Sequence, residues 1–156
     1  MTTAAMIRPY VEQQLAALLG LEQLQKTPDG DVPVVRGDNV TFVRVFDIPA
    51  GPVVRFFSPF LTGVETSPEL IGRLNDLNVQ APFVRFLWTN GNIICSMDLA
   101  ADNLAKEAIG QALGAVAGFA DQAAAALEKD FGGQRMVKHD HAAKPATGPA
   151  NPGGYL

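Results

Sequence analysis

The segment Phe83-Val84-Arg85-Phe86-Leu87-Trp88-Thr89-Asn90-Gly91-Asn92-Ile93-Ile94-Cys95-Ser96-Met97-Asp98-Leu99 reads as two strands joined by a two-residue turn. Both central residues of such a turn need positive φ, which Asn and Gly tolerate. A turn this short forces its strands to run antiparallel. The pattern predicts strands over residues 83–89 and 92–99, with Thr89 facing Asn92 and Arg85 facing Ser96.

Working outward, Ser67-Pro68 starts a helix. Ser67 can cap its free N–H groups, and Pro68 fits the first helical position. Leu70, Ile71, Leu74 and Leu77 form its apolar stripe, and Ala81-Pro82 ends it. Upstream lie three β-type runs: residues 32–36, with Pro33 suited to an edge, then 40–48 and 53–60. A first helix is predicted from Ile7 to Gln25, and a last one from Asp102, as N-cap, to Phe131, stopped by Gly132-Gly133. The order is α-β-β-β-α-β-β-α. Short turns between the strands make it an α+β domain with an antiparallel five-stranded sheet packed by helices. The domain is expected over residues 1–133. Residues 134–156, rich in Pro, Gly and Ala, are expected to form a disordered tail.

The 156 residues suffice for one domain with a single core. Charged residues make up only 18% of the chain while hydrophobic residues make up 47%, so the chain folds but has little charge for its surface. A net charge of −4 and a pI near 5.0 argue against a nucleic-acid partner, since phosphate binding needs a basic surface. No long apolar run and no signal-like start appear, so no membrane association and a cytoplasmic location are expected. The single cysteine, Cys95, excludes an internal disulfide and reads as a buried core residue.

The strand pattern carries most of the functional information. Phe42-Val43-Arg44-Val45-Phe46, Val53-Val54-Arg55-Phe56-Phe57 and Phe83-Val84-Arg85-Phe86-Leu87 repeat one motif. Side chains alternate between faces along a strand. One face then carries Val43, Val45, Val54, Phe56, Val84, Phe86 and Trp88, a core face without charge. The other carries Phe42, Arg44, Phe46, Val53, Arg55, Phe57, Phe83, Arg85 and Leu87. A solvated face should be polar, yet this one sets arginines among aromatics. A peptide-receiving surface fits that composition, with apolar residues giving area and guanidinium groups binding carboxylates or carbonyls. The alternative is a helix covering this face, with the arginines emerging at its rim. Arg44 is expected opposite Arg55, a repulsive pair that needs compensation. Asp98 could pair with Arg85, whereas Arg44 and Arg55 have no obvious local partner.

Gly110, Gly114 and Gly118 recur every fourth residue in the last helix. Each costs a helix about 1 kcal/mol relative to Ala. Close approach of another helix, from a second copy or from the N-terminal helix, would explain all three. No set of nucleophile, base and orienting group is visible. His139 and His141 fall in the tail, where a metal site is not expected, and no phosphate-binding or dinucleotide loop occurs. No enzyme activity and no cofactor are expected.

The element order resembles that of the type III secretion chaperone-like fold. Leu74-Asn75-Asp76-Leu77-Asn78 looks like the LNxLN stretch of its YbjN-like branch. Phe83-Val84-Arg85-Phe86, Asn90-Gly91 and Asp98-Leu99 look like the hairpin that follows it, and Ala120-Asp121 and Phe131-Gly132-Gly133 like the end of its last helix. The similarity covers roughly Arg8 to Gly133. It implies a small non-enzymatic protein that binds peptide segments of client proteins, commonly as a homodimer. Phe42, Arg44, Phe46, Arg55, Phe57, Phe83 and Arg85 are the candidate peptide-binding residues, and Gly110, Gly114 and Gly118 the candidate helix-packing or dimer residues. Two rival readings are a regulator binding a small anion at the arginine pair, and a purely structural homodimer.

Overall fold

The computed structural model describes residues 1–136. It contains α1 (Ala4–Leu19), β1 (Val32–Arg36), β2 (Asn39–Ile48), β3 (Gly51–Leu61), α2 (Pro68–Gln80), β4 (Arg85–Thr89), β5 (Asn92–Ala100) and α3 (Lys106–Phe131), in the expected order. The five strands form one antiparallel sheet in the order β1-β2-β3-β5-β4. The hairpin turns as its residues dictate, with φ of 48° at Asn90 and 81° at Gly91. Thr89 pairs with Asn92 and Arg85 with Ser96.

Three of the boundaries that differ from the sequence reading have a clear local reason. α1 stops at Leu19, short of Gln25. Gly20 takes φ 66°, and the N–H groups of Gly20 and Leu21 return to the carbonyls of Ala17 and Ala16, which closes the helix end. α3 begins at Lys106 with Ala105 preceding it, so Asp102 is not its cap. Asn103, at φ 58°, holds the chain in a turn before the helix starts. β4 starts at Arg85, because Phe83 has φ 68° and the Val84 N–H bonds back to the Pro82 carbonyl. Phe83 therefore lies off the sheet and is 86% exposed.

All three helices pack on one face of the sheet. Val11 and Leu15 of α1, Leu70 and Leu74 of α2, and Ile109, Leu113, Val116 and Leu127 of α3 join Val43, Val54, Phe56, Phe86 and Ile93 in a single buried cluster. Each fully buried large apolar side chain contributes about 1.5–3 kcal/mol. Ser67 caps α2 by accepting the Leu70 N–H at 3.1 Å. Cys95 is fully buried in this core, and burial pushes its thiol pKa up to about 12. Such a thiol is inert at neutral pH.

Packing continues past Gly133. Gln134 makes a two-hydrogen-bond bridge to Thr62 just beyond β3, and Arg135 approaches Asp121 at 3.7 Å. Met136 packs on the opposite face of the sheet, against Val40, Phe42, Phe57 and Ile94. The tail features at His139, Asp140 and His141, and the expected disorder of the segment, fall beyond these positions, outside the described residues.

Candidate functional site

The sheet face away from the helices is built in rows that cross the strands. One row aligns Phe42 with Phe57, Ser96 and Arg85. The next aligns Arg44 with Arg55 and Asp98, and a third aligns Phe46 with Val53 and Ala100. The face thus alternates aromatic and charged rows. Phe42 and Phe57 stack with centroids 5.5 Å apart and planes 22° from parallel.

Arg44 and Arg55 stand directly opposite each other, yet both are compensated. Arg44 makes a bidentate pair with Asp31, at 2.7 Å from Nε and 2.5 Å from Nη2. Asp31 lies just before β1 and is 2% exposed. Its hydrogen bonds to Arg44 hold the guanidinium pKa above its ordinary value despite the opposing pull of burial. Arg55 makes the same fork with Asp98, at 2.6 and 2.5 Å. Arg85 reaches the second Asp98 oxygen at 3.2 Å. The Arg85–Asp98 pairing expected from the hairpin is present, but Asp98 is shared and its shorter bonds go to Arg55. Arg44 lies 5.3 Å from the centroid of the Phe57 ring and Arg55 lies 4.9 Å from that of Phe46, within cation–π range.

Two polar atoms on this face are left over. Arg55 spends Nε and Nη2 on Asp98, and its Nη1 is buried with no acceptor among the described residues. The hydroxyl of Ser96, beside Phe57 and Arg85, is also buried and has no partner among the described residues. A buried donor without an acceptor carries a desolvation cost of about 1–3 kcal/mol. A carbonyl or carboxylate brought to this face would relieve it.

The edge beside this face is partly closed. The Asn78 amide donates to the Phe86 carbonyl at 2.9 Å and accepts the Phe86 N–H at 2.6 Å. α2 therefore occupies the backbone groups of Phe86, the second residue of β4. An edge strand with free backbone groups invites pairing with another chain, and Asn78 denies that at Phe86.

Of the residues singled out from the sequence, Phe42, Arg44, Phe46, Arg55, Phe57 and Arg85 share the one face, whereas Phe83 projects from the loop before β4. No helix of the described residues covers this face. Gly110 faces α1, its Cβ position 3.8 Å from Leu18 Cδ1. A Cβ on Gly114 or Gly118 would meet open space. Sequence reasoning missed Asp31, Ser96, Asn78 and Met136. Only the spacing of Asp31 before an edge strand hinted at a partner for Arg44.

Among the described residues no helix is long and apolar enough to cross a membrane. No functionally curated protein matches the sequence. Among solved structures, the ExsC–ExsE complex contains a chain that aligns with TM-score 0.57 and 14% identity, over 78% of this chain and 93% of that one. The Yersinia pestis type III secretion chaperone SycH, solved with a stable fragment of YscM2, aligns with TM-score 0.52 and 16% identity, over 72% and 96%. At these identities the likeness establishes the shared fold. Residues 5–139 match the TY-Chap1 family, described as T3SS (YopN, CesT) and YbjN peptide-binding chaperone 1. With most of its length inside that match, the chain belongs to the TY-Chap1 family of peptide-binding chaperones.

Proposed function

We propose that this protein is a non-enzymatic chaperone that receives an extended peptide segment of a client protein on the helix-free face of its sheet. The single observation that carries the reading is Arg55 Nη1, a buried cationic donor without an acceptor among the described residues, set between aromatic rows on that face. Phe42, Phe46 and Phe57 would bury client side chains, while Arg44, Arg55 and Arg85 would fix register through peptide carbonyls or carboxylates. Phe83, exposed at the margin, would extend the apolar area. The structural relatives were solved with protein partners, ExsE and a YscM2 fragment. The homodimer belongs to the same proposal, with the open Gly114–Gly118 side of α3 offered as its packing face. So does a cytoplasmic location.

A small-anion site at Arg44 and Arg55 has less support, because carboxylates already neutralise both guanidinium groups. The test is capture of an immobilised peptide array by the wild type and by Phe46→Ser and Arg85→Ser. Phe46 is half-buried and Arg85 exposed, so both variants should fold. Weaker capture by both supports this face, and unchanged capture by both overturns it.

A further inference from the structure

On the helical side of the sheet, α2 and α3 are tied together at one end. There Arg73 of α2 donates to Asp130 of α3 at 2.7 Å and lies 5.9 Å from the centroid of the Phe131 ring. Toward the C-terminus of α2 the two helices border a cavity of about 350 Å³. Leu77 and Ala81 line it from α2, Phe119 lines it from α3, and Phe86 of the sheet forms its base. Gln80 and Gln122, both exposed, stand at its mouth, and among the described residues no charged side chain lines it. A closed apolar cavity of roughly 150 Å³ holds one benzene ring, so this open one has room for a phenyl side chain.

The same stretch of chain carries a ring that it does not bury. Phe83 lies between Ala81 and Phe86, two residues that line the cavity. It has φ 68°, and the Val84 N–H bonds to the Pro82 carbonyl at 2.8 Å. Phe83 is thus the centre of a γ-turn of the rare, strained form, and a bulky residue at positive φ is a true outlier. The turn holds the ring outside its own cavity, 86% exposed. Val79, beside Gln80 on α2, is 79% exposed and widens the apolar rim. Strain of this kind concentrates at functional sites. Here it displays an aromatic knob next to an aromatic-lined hole.

We propose that the Phe83 ring of one copy enters the α2–α3 cavity of a second copy, and the second copy's ring enters the first, about a two-fold axis. This pairing rests on the homodimer reading and names its contact. A two-fold interface uses the same patch on both copies, so the patch must complement itself. Knob and hole on one short stretch of chain meet that condition in shape. The uncharged mouth meets it in charge, because a charge near the axis would face its own copy and be repelled. The patch also continues into the glycine face of α3: Gly118 lies one turn before Gln122 on the same side of the helix, and its Cβ position is open. In the dimer Phe83 is withdrawn from the client face, which keeps Phe42, Phe46 and Phe57.

Sedimentation equilibrium of the full-length chain over a range of concentrations is the test. Phe83→Gly deletes the ring and suits the positive φ, so the monomer should melt no earlier than the wild type at low concentration. Its dimer Kd should rise at least about a hundredfold, about tenfold for each of the two rings. Gln122→Trp fills the mouth and leaves Phe83 in place; it should raise the Kd at least about tenfold, and it should fold because Gln122 is exposed. A photoreactive p-benzoyl-phenylalanine at position 83 then reports where the ring sits. A crosslinked dimer joined at residues 119–123 supports the pairing. Crosslinks to those residues within one chain would mean that the ring fills its own cavity, and they overturn it, as does a dimer joined elsewhere. A wild-type dimer whose Kd is unchanged by Phe83→Gly overturns this contact and leaves the homodimer reading standing. A wild type that is monomeric at every concentration removes both.

Discussion

Arg44 and Arg55 are direct cross-strand partners, two cations on one side of a sheet, and each turns to its own carboxylate, Asp31 on one flank and Asp98 on the other. Like charges in this position repel. Here the repulsion is met by two bidentate pairs, the stronger geometry for guanidinium and carboxylate. The face is therefore charged in detail and close to neutral in sum. It can sit against a peptide without a large desolvation cost for a free charge.

Removing either carboxylate should be costly, because it leaves uncompensated a guanidinium that is partly buried at Arg44 and buried at Arg55. Asp31→Ala is expected to destabilise the fold by about 3 kcal/mol, the lower end of the range for breaking a buried pair, because Arg44 keeps some exposure. Asp98→Ala should cost at least as much, because the Arg55 it leaves is the more buried of the two arginines. Urea denaturation measures both. The double variant Asp31→Leu with Arg44→Met should recover most of the loss, and a failure to recover it would place the role of Asp31 elsewhere.

Asn78 satisfies both backbone groups of Phe86 from α2. Asn78→Leu leaves them without that partner, at a cost of about 1–3 kcal/mol. Amide exchange at Phe86 should accelerate, and the opened edge should raise aggregation. Native-state hydrogen exchange and turbidity at rising protein concentration report these two effects. An unchanged Phe86 amide would show that the edge is protected by something other than Asn78.

The glycine face of α3 separates helix stability from assembly. Gly114 has open space around its Cβ position and ordinary helical φ. Gly114→Ala should stabilise the monomer by up to about 1 kcal/mol. Gly114→Leu should keep the fold and lower the dimer fraction seen by light scattering. An unchanged mass with the leucine in place removes this face from any dimer interface.

Cys95 makes stability fall with alkalinity. Its folded pKa, about 12, lies above the ordinary 9.0 because burial disfavours the thiolate. The unfolded chain therefore releases this proton first. The stabilisation is complete below the unfolded value and is lost as pH rises from about 9 toward about 12, by up to about 1.4 kcal/mol per pH unit. Between about pH 9 and about pH 10 the wild type should lose more stability than Cys95→Ala. Denaturant midpoints at the two pH values decide it, and parallel losses would overturn the assignment.

The sequence by itself determined the element order, the hairpin register and the division of the sheet into two faces. These are local matters. Asn90-Gly91 sets a turn, a period of two sets which side chains share a face, and Ser67-Pro68 starts a helix. Helix ends were less legible where a backbone turn, rather than a side-chain pattern, ended or delayed the helix, as at Gly20 and Asn103. Tertiary structure alone decided how the charges are settled and what reaches the helix-free face. Asp31 finds Arg44 because a loop folds back beside β2. Asp98 takes Arg55 because β5, not β4, lies next to β3. Asn78 meets Phe86 because α2 runs beside the sheet edge, and Met136 crosses to the far face because Gly133 lets the backbone pass against Thr62 and Val64. Each of these contacts joins residues that strand order and chain crossing bring together, and neither a period nor a propensity in one sequence carries that information.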